Sequence, residues 1–298
     1  MRAKDSTSHW LLAALLVAVT AIWGWSFPVV KEAVAGYGVL SFLAIRFVIA
    51  TAALGVFTAQ RMDRKTLVTG AAIGLALAAG YVLQTFGIRH TTASNSGLIT
   101  GLFVLFAPMA NRALFGIRTP WILWGAVGLS VVGLVLLTGS GPERLRIGDI
   151  LTLASAAAYG THIALLGRFA KEHDAGALTL AQLVAATLVF AAAALATEPL
   201  VWPDGPLWTT IIVTGVLVTA VTYPIQTFVQ KRLPPVRTAI ILSMESVFAA
   251  IFGYLLLRER LTASQIAGAA VLVAAALAAE IGSAAANRPI NHAFPPKE

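Results

Sequence analysis

Apolar residues fall in blocks of twenty or so along nearly the whole chain, with short polar or charged gaps between them. A helix needs about 20 mostly apolar residues to cross a hydrocarbon layer roughly 30 Å thick. Ten blocks reach that length: 10–30, 38–58, 67–88, 92–114, 120–138, 148–167, 178–197, 207–229, 236–257 and 262–282. The gaps are too short to hold a domain of their own. The pattern therefore predicts an all-α membrane protein of ten transmembrane helices, with short tails at 1–9 and 283–298. The segments are rich in Gly and Ala. Gly70-Ala-Ala-Ile-Gly74 and Gly97-Leu-Ile-Thr-Gly101 have the spacing that lets helices approach closely.

Composition agrees. Hydrophobic residues make up 58% of the 298 and charged residues 11%, against roughly 45–50% and about 25% in soluble domains. The net charge of +8 lies in the gaps and not on one clustered face. That placement argues against nucleic acid as a partner and suits topology signals. The apolar stretch from Trp10 to Val30 is too long for the core of a cleaved signal peptide, about 7–15 residues, and reads as the first membrane helix. With the N-terminus in the cytoplasm, 14 Lys and Arg residues fall on the inner side and 6 on the outer. The balance predicts that both termini are cytoplasmic. Arg46 is the remaining basic residue and lies within the second segment. There are no cysteines, which excludes disulfides, thiolate catalysis and cysteine-held metal.

The chain also repeats itself. Tyr81-Val-Leu-Gln84-Thr85-Phe86 recurs as Tyr223-Pro-Ile-Gln226-Thr227-Phe228. The same shift carries the third, fourth and fifth segments onto the eighth, ninth and tenth. A polar stretch from Gly139 to Arg146 divides the chain into five segments, 10–138, and five more, 148–282. Five is odd, so the second set enters the membrane from the opposite side. Two inverted five-helix repeats are the expected fold. That arrangement characterises many secondary transporters, with the substrate near the midplane between halves. Some channels share it.

Three stretches carry a resemblance: Trp23-Gly24, the run from Gly97 to Pro108, and Met244-Glu245-Ser246 through Gly253 to Glu259-Arg-Leu261. The chain resembles the EamA family of the drug/metabolite transporter superfamily, and within it aromatic amino acid exporters of the YddG type. The resemblance covers essentially the whole chain and implies a metabolite exporter, often of amino acids, in a bacterial inner membrane. The chain departs from the family pattern at Ser246, where Pro is usual. Glu259 has no counterpart in the first half, where the shift lands on Ile117.

Ionisable residues at membrane depth are functional candidates. Arg46, His162 and Glu245 lie well inside their segments; Glu32, Glu198 and Glu280 lie near ends, where water or headgroups are in reach. Glu245 can bind a proton or a substrate ammonium, or can fix helix packing. His162 can contact substrate or bond a carbonyl. Arg46 can hold a substrate carboxylate; a structural bond or snorkelling is the favoured reading. Gln84 and Gln226 face each other by the repeat and can bind a zwitterion with either polarity, or bond between helices. Tyr81 and Tyr223, each three residues before its Gln, share that helix face. Trp23 and Tyr159 lie at similar depth and complete an aromatic wall. The expected substrate-binding set is thus Trp23, Tyr81, Gln84, Tyr159, His162, Tyr223, Gln226 and Glu245. Pro28 and Pro224 are candidate hinges. Trp10, Trp121, Trp124, Trp202 and Trp208, at segment ends, read as interface anchors.

An export protein working by alternating access is the leading expectation. Its partners are a small-molecule substrate, membrane lipid and, as a candidate coupling ion, the proton. It needs no cofactor and no metal, and works as a monomer or weak dimer. A facilitated-diffusion permease is the alternative. An intramembrane enzyme is disfavoured, since no His-Glu-x-x-His, Gly-x-Ser-x-Gly or paired Asp residues occur. No Walker A sequence occurs either, so a P-loop ATPase motor is excluded.

Overall fold

A computed structural model describes residues 2–138, 146–258 and 262–286. Most of the polar divider, Glu259 and the end of the C-terminal tail lie outside them, as does the side chain of Glu280. The described chain is helical, and we number its rods α1 (Arg2–Ala35), α2 (Val39–Thr58), α3 (Arg64–Arg89), α4 (Ala93–Thr100, resuming as Phe103–Phe115), α5 (Trp121–Thr138), α6 (Ile147–Phe169), α7 (Ala175–Thr197), α8 (Gly205–Gln230), α9 (Pro235–Leu242, resuming as Met244–Leu257) and α10 (Ala263–Ala286). Eight of them, α1–α4 and α6–α9, are long and apolar enough to cross a membrane; α5 and α10 contribute shorter apolar stretches, Trp124–Leu136 and Ile266–Ala275.

Polar caps define the ends. Asp63, Thr92, Asp174 and Asp204 each accept from the backbone N–H three residues on, at 2.7–3.0 Å, which supplies one of the partners a helix start lacks. Gly116, at φ 66°, closes α4 by donating its N–H to Arg112 O. The α2 start is capped from outside: the Glu198 carboxylate accepts from the N–H of Leu40 (3.0 Å) and Ser41 (2.8 Å). Glu198 was expected only at the interface; here it ties the α7–α8 connection to α2.

The surface is apolar where lipid would meet it. Val56 and Phe57 are each 76% exposed and Leu195 68%, a distribution that water would punish as a large exposed patch. Trp10, Trp121, Trp124 and Trp202 are exposed; Trp121 opens α5 and Trp202 lies in the α7–α8 connection. The interior carries Thr, Ser, Gln and His besides its apolar core.

Small residues set the helix contacts. The Gly70 and Gly74 faces lie on α7: a Cβ at Gly74 would stand 2.6 Å from Gln182 O, and one at Gly70 would overlap Ala181. Likewise Gly97 abuts Ala249, and Gly101 abuts Ser246, whose hydroxyl donates to Gly97 O at 2.8 Å. Both small-residue patterns of the sequence therefore mark close crossings, α3 on α7 and α4 on α9.

The contacts repeat. A Cβ at Gly24 of α1 would meet Phe248 and Ala249 of α9 at 2.5–2.8 Å; one at Gly160 of α6 would meet Phe106 and Ala107 of α4 at 2.6–2.9 Å. Phe106 and Ala107 become Phe248 and Ala249 on adding 142, and Gly24 becomes Gly160 on adding 136. Two hydrogen bonds join residues related by those same separations: Tyr81–Tyr223, 142 apart, and Thr51–Thr187, 136 apart. α1 and α2 thus map onto α6 and α7 with the shorter shift, α3 and α4 onto α8 and α9 with the longer. The packing obeys the exchange too: α1 on α9 and α6 on α4, α3 on α7 and α8 on α2, α2 on α7, α5 on α10.

Because Gly24 and Gly97 leave no room, Gly24→Ala and Gly97→Ala should each destabilise the detergent-solubilised protein by about 1–3 kcal/mol. Gly125→Ala, with open space around it, should be neutral or slightly stabilising. Thermal melts of the three variants check the contrast.

Candidate functional site

α4 and α9 are both interrupted, at Gly101–Leu102 and at Ser243. These are counterparts under the longer shift. Broken backbone within a membrane is tolerated where it lines a cavity. The Ser243 hydroxyl donates to Ile240 O at 2.7 Å and so satisfies one carbonyl at the break. Just beyond the two breaks stand Phe103 and Glu245, and both line one cavity, which with the solvent space at its mouth encloses about 650 Å³.

All eight expected residues meet there: Trp23, Tyr81, Gln84, Tyr159, His162, Tyr223, Gln226 and Glu245. Pro28 and Pro224 do not line it. Pro28 sits inside a continuous α1. Pro224 follows a wide turn of α8, Thr214–Val221, where the Thr219 hydroxyl donates five residues back to Thr214 O at 3.0 Å. A proline has no N–H for the regular ladder, and widened turns of this kind recur at functional sites.

Aromatic rings form the walls. Trp23 and Tyr223 lie 5.2 Å apart, Tyr81 and Tyr159 5.9 Å, Tyr81 and Tyr223 6.2 Å between centroids. Trp23 Nε1 donates to Thr222 Oγ1 at 2.8 Å. Tyr159, its counterpart, lies over Gly80, the counterpart of Thr222. The sequence offered this pair as Trp23-Gly24 and Tyr159-Gly160; it was missed because the shift differs by six residues from the one the tyrosine–glutamine motif shows.

The two glutamines differ in use. Gln84 donates to Thr100 Oγ1 at 3.0 Å and accepts from Tyr159 OH at 3.1 Å. Gln226 donates to Gln230 Oε1 at 3.0 Å, while its own buried Oε1 has no protein partner. His162 Nε2 meets Gln182 Oε1 at 2.8 Å. Since that oxygen can only accept, Nε2 carries the proton. The expected N–H to carbonyl bond is thus present, the carbonyl being that of a side-chain amide.

Arg46 lines the cavity as well. Its Nε donates to Thr219 Oγ1 at 3.0 Å and Nη2 to Tyr81 OH at 3.2 Å, with the guanidinium 5.0 Å from the Tyr81 ring centre. It does not snorkel: only 2% of it is exposed. Among the described residues no cluster of His, Asp and Glu is placed to hold a metal.

The cavity is lopsided. It reaches Val30, Thr85 and Ile88, towards the C-terminal ends of α1 and α3. Their counterparts, Leu166, Thr227 and Gln230, do not line it, although all six positions are buried. There the Thr179 hydroxyl donates to Thr227 Oγ1 (2.8 Å) and Gln230 Nε2 to Ile163 O (3.1 Å). Below this layer lies a charged face, with Lys65–Glu172 at 2.8 Å, Arg168–Glu172 at 3.6 Å and Arg61–Asp174 at 3.5 Å.

The profile of the EamA-like transporter family matches residues 10–139 and again 146–279. An uncharacterized transporter of Archaeoglobus fulgidus is 31% identical over 262 residues, 88% of this chain and 83% of that protein. The threonine/homoserine exporter RhtA of Escherichia coli is 28% identical over 172 residues, 55% of this chain and 56% of the exporter. A probable terminal-alkyne amino-acid exporter of Streptantibioticus cattleyicolor is 27% identical over 168 residues, 53% and 54%. One crystal structure superposes with a TM-score of 0.75 at 15% identity, over 95% of this chain and 99% of that one, a likeness of fold.

The cysteine-free chain allows a direct check of the lopsided cavity. Val30→Cys should react readily with a membrane-impermeant thiol reagent, and its counterpart Leu166→Cys slowly, when each is labelled in purified protein. Equal rates would mean that both ends are equally closed.

Proposed function

The chain belongs to the EamA-like transporter family, and on that premise we propose that it is a secondary transporter exporting amino acids, aromatic ones preferred, from a bacterial cytoplasm. The observation that carries this reading is the cavity between the interrupted helices, walled by the Tyr-x-x-Gln faces of α3 and α8. Its rings suit an apolar side chain and its amides and charges suit a polar backbone. Relatives named as amino-acid exporters support the class.

In this reading α5 and α10 also cross the bilayer. That makes ten crossings in two inverted halves, 10–138 and 148–282. The recurring contacts of Gly24 and Gly160, and the family profile matching twice, support it. Both termini are cytoplasmic, supported by the excess of Lys and Arg on the face that holds Arg61, Lys65 and Arg168. The cavity then leans outwards, and the layer of Thr227 and Gln230 is its cytoplasmic seal. Pro28 and the Thr214–Val221 turn beside Pro224 are the places where the helices bend as access alternates.

Counterflow in proteoliposomes tests the proposal. Preloaded L-phenylalanine should accelerate entry of labelled L-phenylalanine or L-tryptophan, with saturation. Flux that rises linearly and shows no counterflow would indicate a pore instead. Gln226→Ala should raise the half-saturating concentration several-fold, as expected for losing about 1 kcal/mol of hydrogen bonding. An unchanged value would assign Gln226 to packing.

A further inference from the structure

The lining is nearly symmetric in its rings and amides, but its charges are not. Trp23 pairs with Tyr159, Tyr81 with Tyr223 and Gln84 with Gln226, every one on the wall. Arg46 maps by the shorter shift onto Gln182, which is off the wall and bonded to His162. Glu245 maps by the longer shift onto Phe103, which is apolar. The cavity therefore holds one cation from the first half and one carboxylate from the second, with neither charge repeated at the mirror position.

Neither group has a counter-charge among the described residues. Arg46 is 2% exposed and its partners, Thr219 and Tyr81, are uncharged. Glu245 is 6% exposed; among the described residues no hydrogen bond or ion pair holds its carboxylate, and the two do not pair with each other. A buried charge without a counter-charge is costly, and at membrane depth such residues mark substrate paths. A cation and a carboxyl in one cavity, neither with a counter-charge, are complementary to a ligand that carries both charges.

We infer that the cavity takes a zwitterion in one orientation only, its carboxylate on the Arg46 guanidinium and its ammonium on the Glu245 carboxylate. This rests on the transport reading and adds to it the substrate's charge pattern and direction. A symmetric site of glutamines and rings would accept a zwitterion either way round, and would accept an amine or an acid nearly as well. Arg46 and Glu245 remove that tolerance.

The test is competition against counterflow of labelled L-phenylalanine, or of L-threonine if that is what the wild type carries. The competitors for phenylalanine are phenethylamine, which lacks the carboxylate, and 3-phenylpropionate, which lacks the ammonium; for threonine they are 1-amino-2-propanol and 3-hydroxybutyrate. Each should compete at least ten-fold more weakly than the unlabelled amino acid, as the loss of one charge-assisted contact implies. Arg46→Gln should selectively restore the relative standing of the amine, and Glu245→Gln that of the acid. Arg46→Lys, which keeps the charge, should retain discrimination against the amine. If amine and acid compete as well as the amino acid on the wild type, the inference is overturned while transport stands. The same holds if both Gln variants weaken all ligands in proportion. If the wild type carries neither amino acid, the transport reading itself fails. The wild-type competition needs no variant to fold.

Discussion

Backbone amides and carbonyls in hydrocarbon have no water to bond, so each must find its partner inside the protein. Everything distinctive about this chain follows from where that rule is relaxed. α2, α3, α6 and α7 obey it with unbroken ladders across the membrane, and α1 lacks one donor, at Pro28. α4 and α9 break at Gly101–Leu102 and Ser243, and α8 widens over Thr214–Val221. These irregularities border one cavity: Thr100, Phe103, Val218, Leu242 and Glu245 all line it. The cavity is thus where unpaired backbone is affordable. Close crossings at Gly24 and Gly160 hold the broken helices against α1 and α6, and the one at Gly97 holds them against each other.

Much of this was legible in the sequence, and for a definite reason. Motifs with rings and amides stand out against an apolar background, so Tyr-x-x-Gln-Thr-Phe exposed the repeat and all eight expected site residues do share one cavity. What stayed hidden was carried by residues that look ordinary. The match of α1 and α2 to α6 and α7 rests on glycine contacts and on the Thr51–Thr187 bond, and the α7–α8 connection shifts it by six residues. The sequence leaves Arg46 with three roles, a substrate carboxylate's partner, a structural bond or snorkelling. Its position under the Tyr81 ring depends on how α2 is rotated, which hydropathy does not encode. Glu198 as the cap of α2 is a contact across 157 residues, beyond any local pattern.

The symmetry is as informative where it fails. The rings pair off, yet the cavity reaches Ile88 and not Gln230, and one mirror-related position holds a carboxylate where the other holds Phe103. In the proposed cycle the first failure describes the state of the molecule, since an exchange of the halves would reverse it. The second is fixed in covalent structure and survives any rearrangement. Access belongs to the first kind of asymmetry and recognition to the second.

Tyr81–Tyr223 and Thr51–Thr187 are bonds between residues that are each other's counterparts. Swapping the roles of the two halves leaves such a bond where it was, with donor and acceptor merely trading names. Contacts away from the axis, such as Gln230 with Ile163, have no such protection: their equivalents must form as they rupture. In the alternating-access cycle proposed above, the two bonds would be the axle, about which the halves can turn without ever letting go.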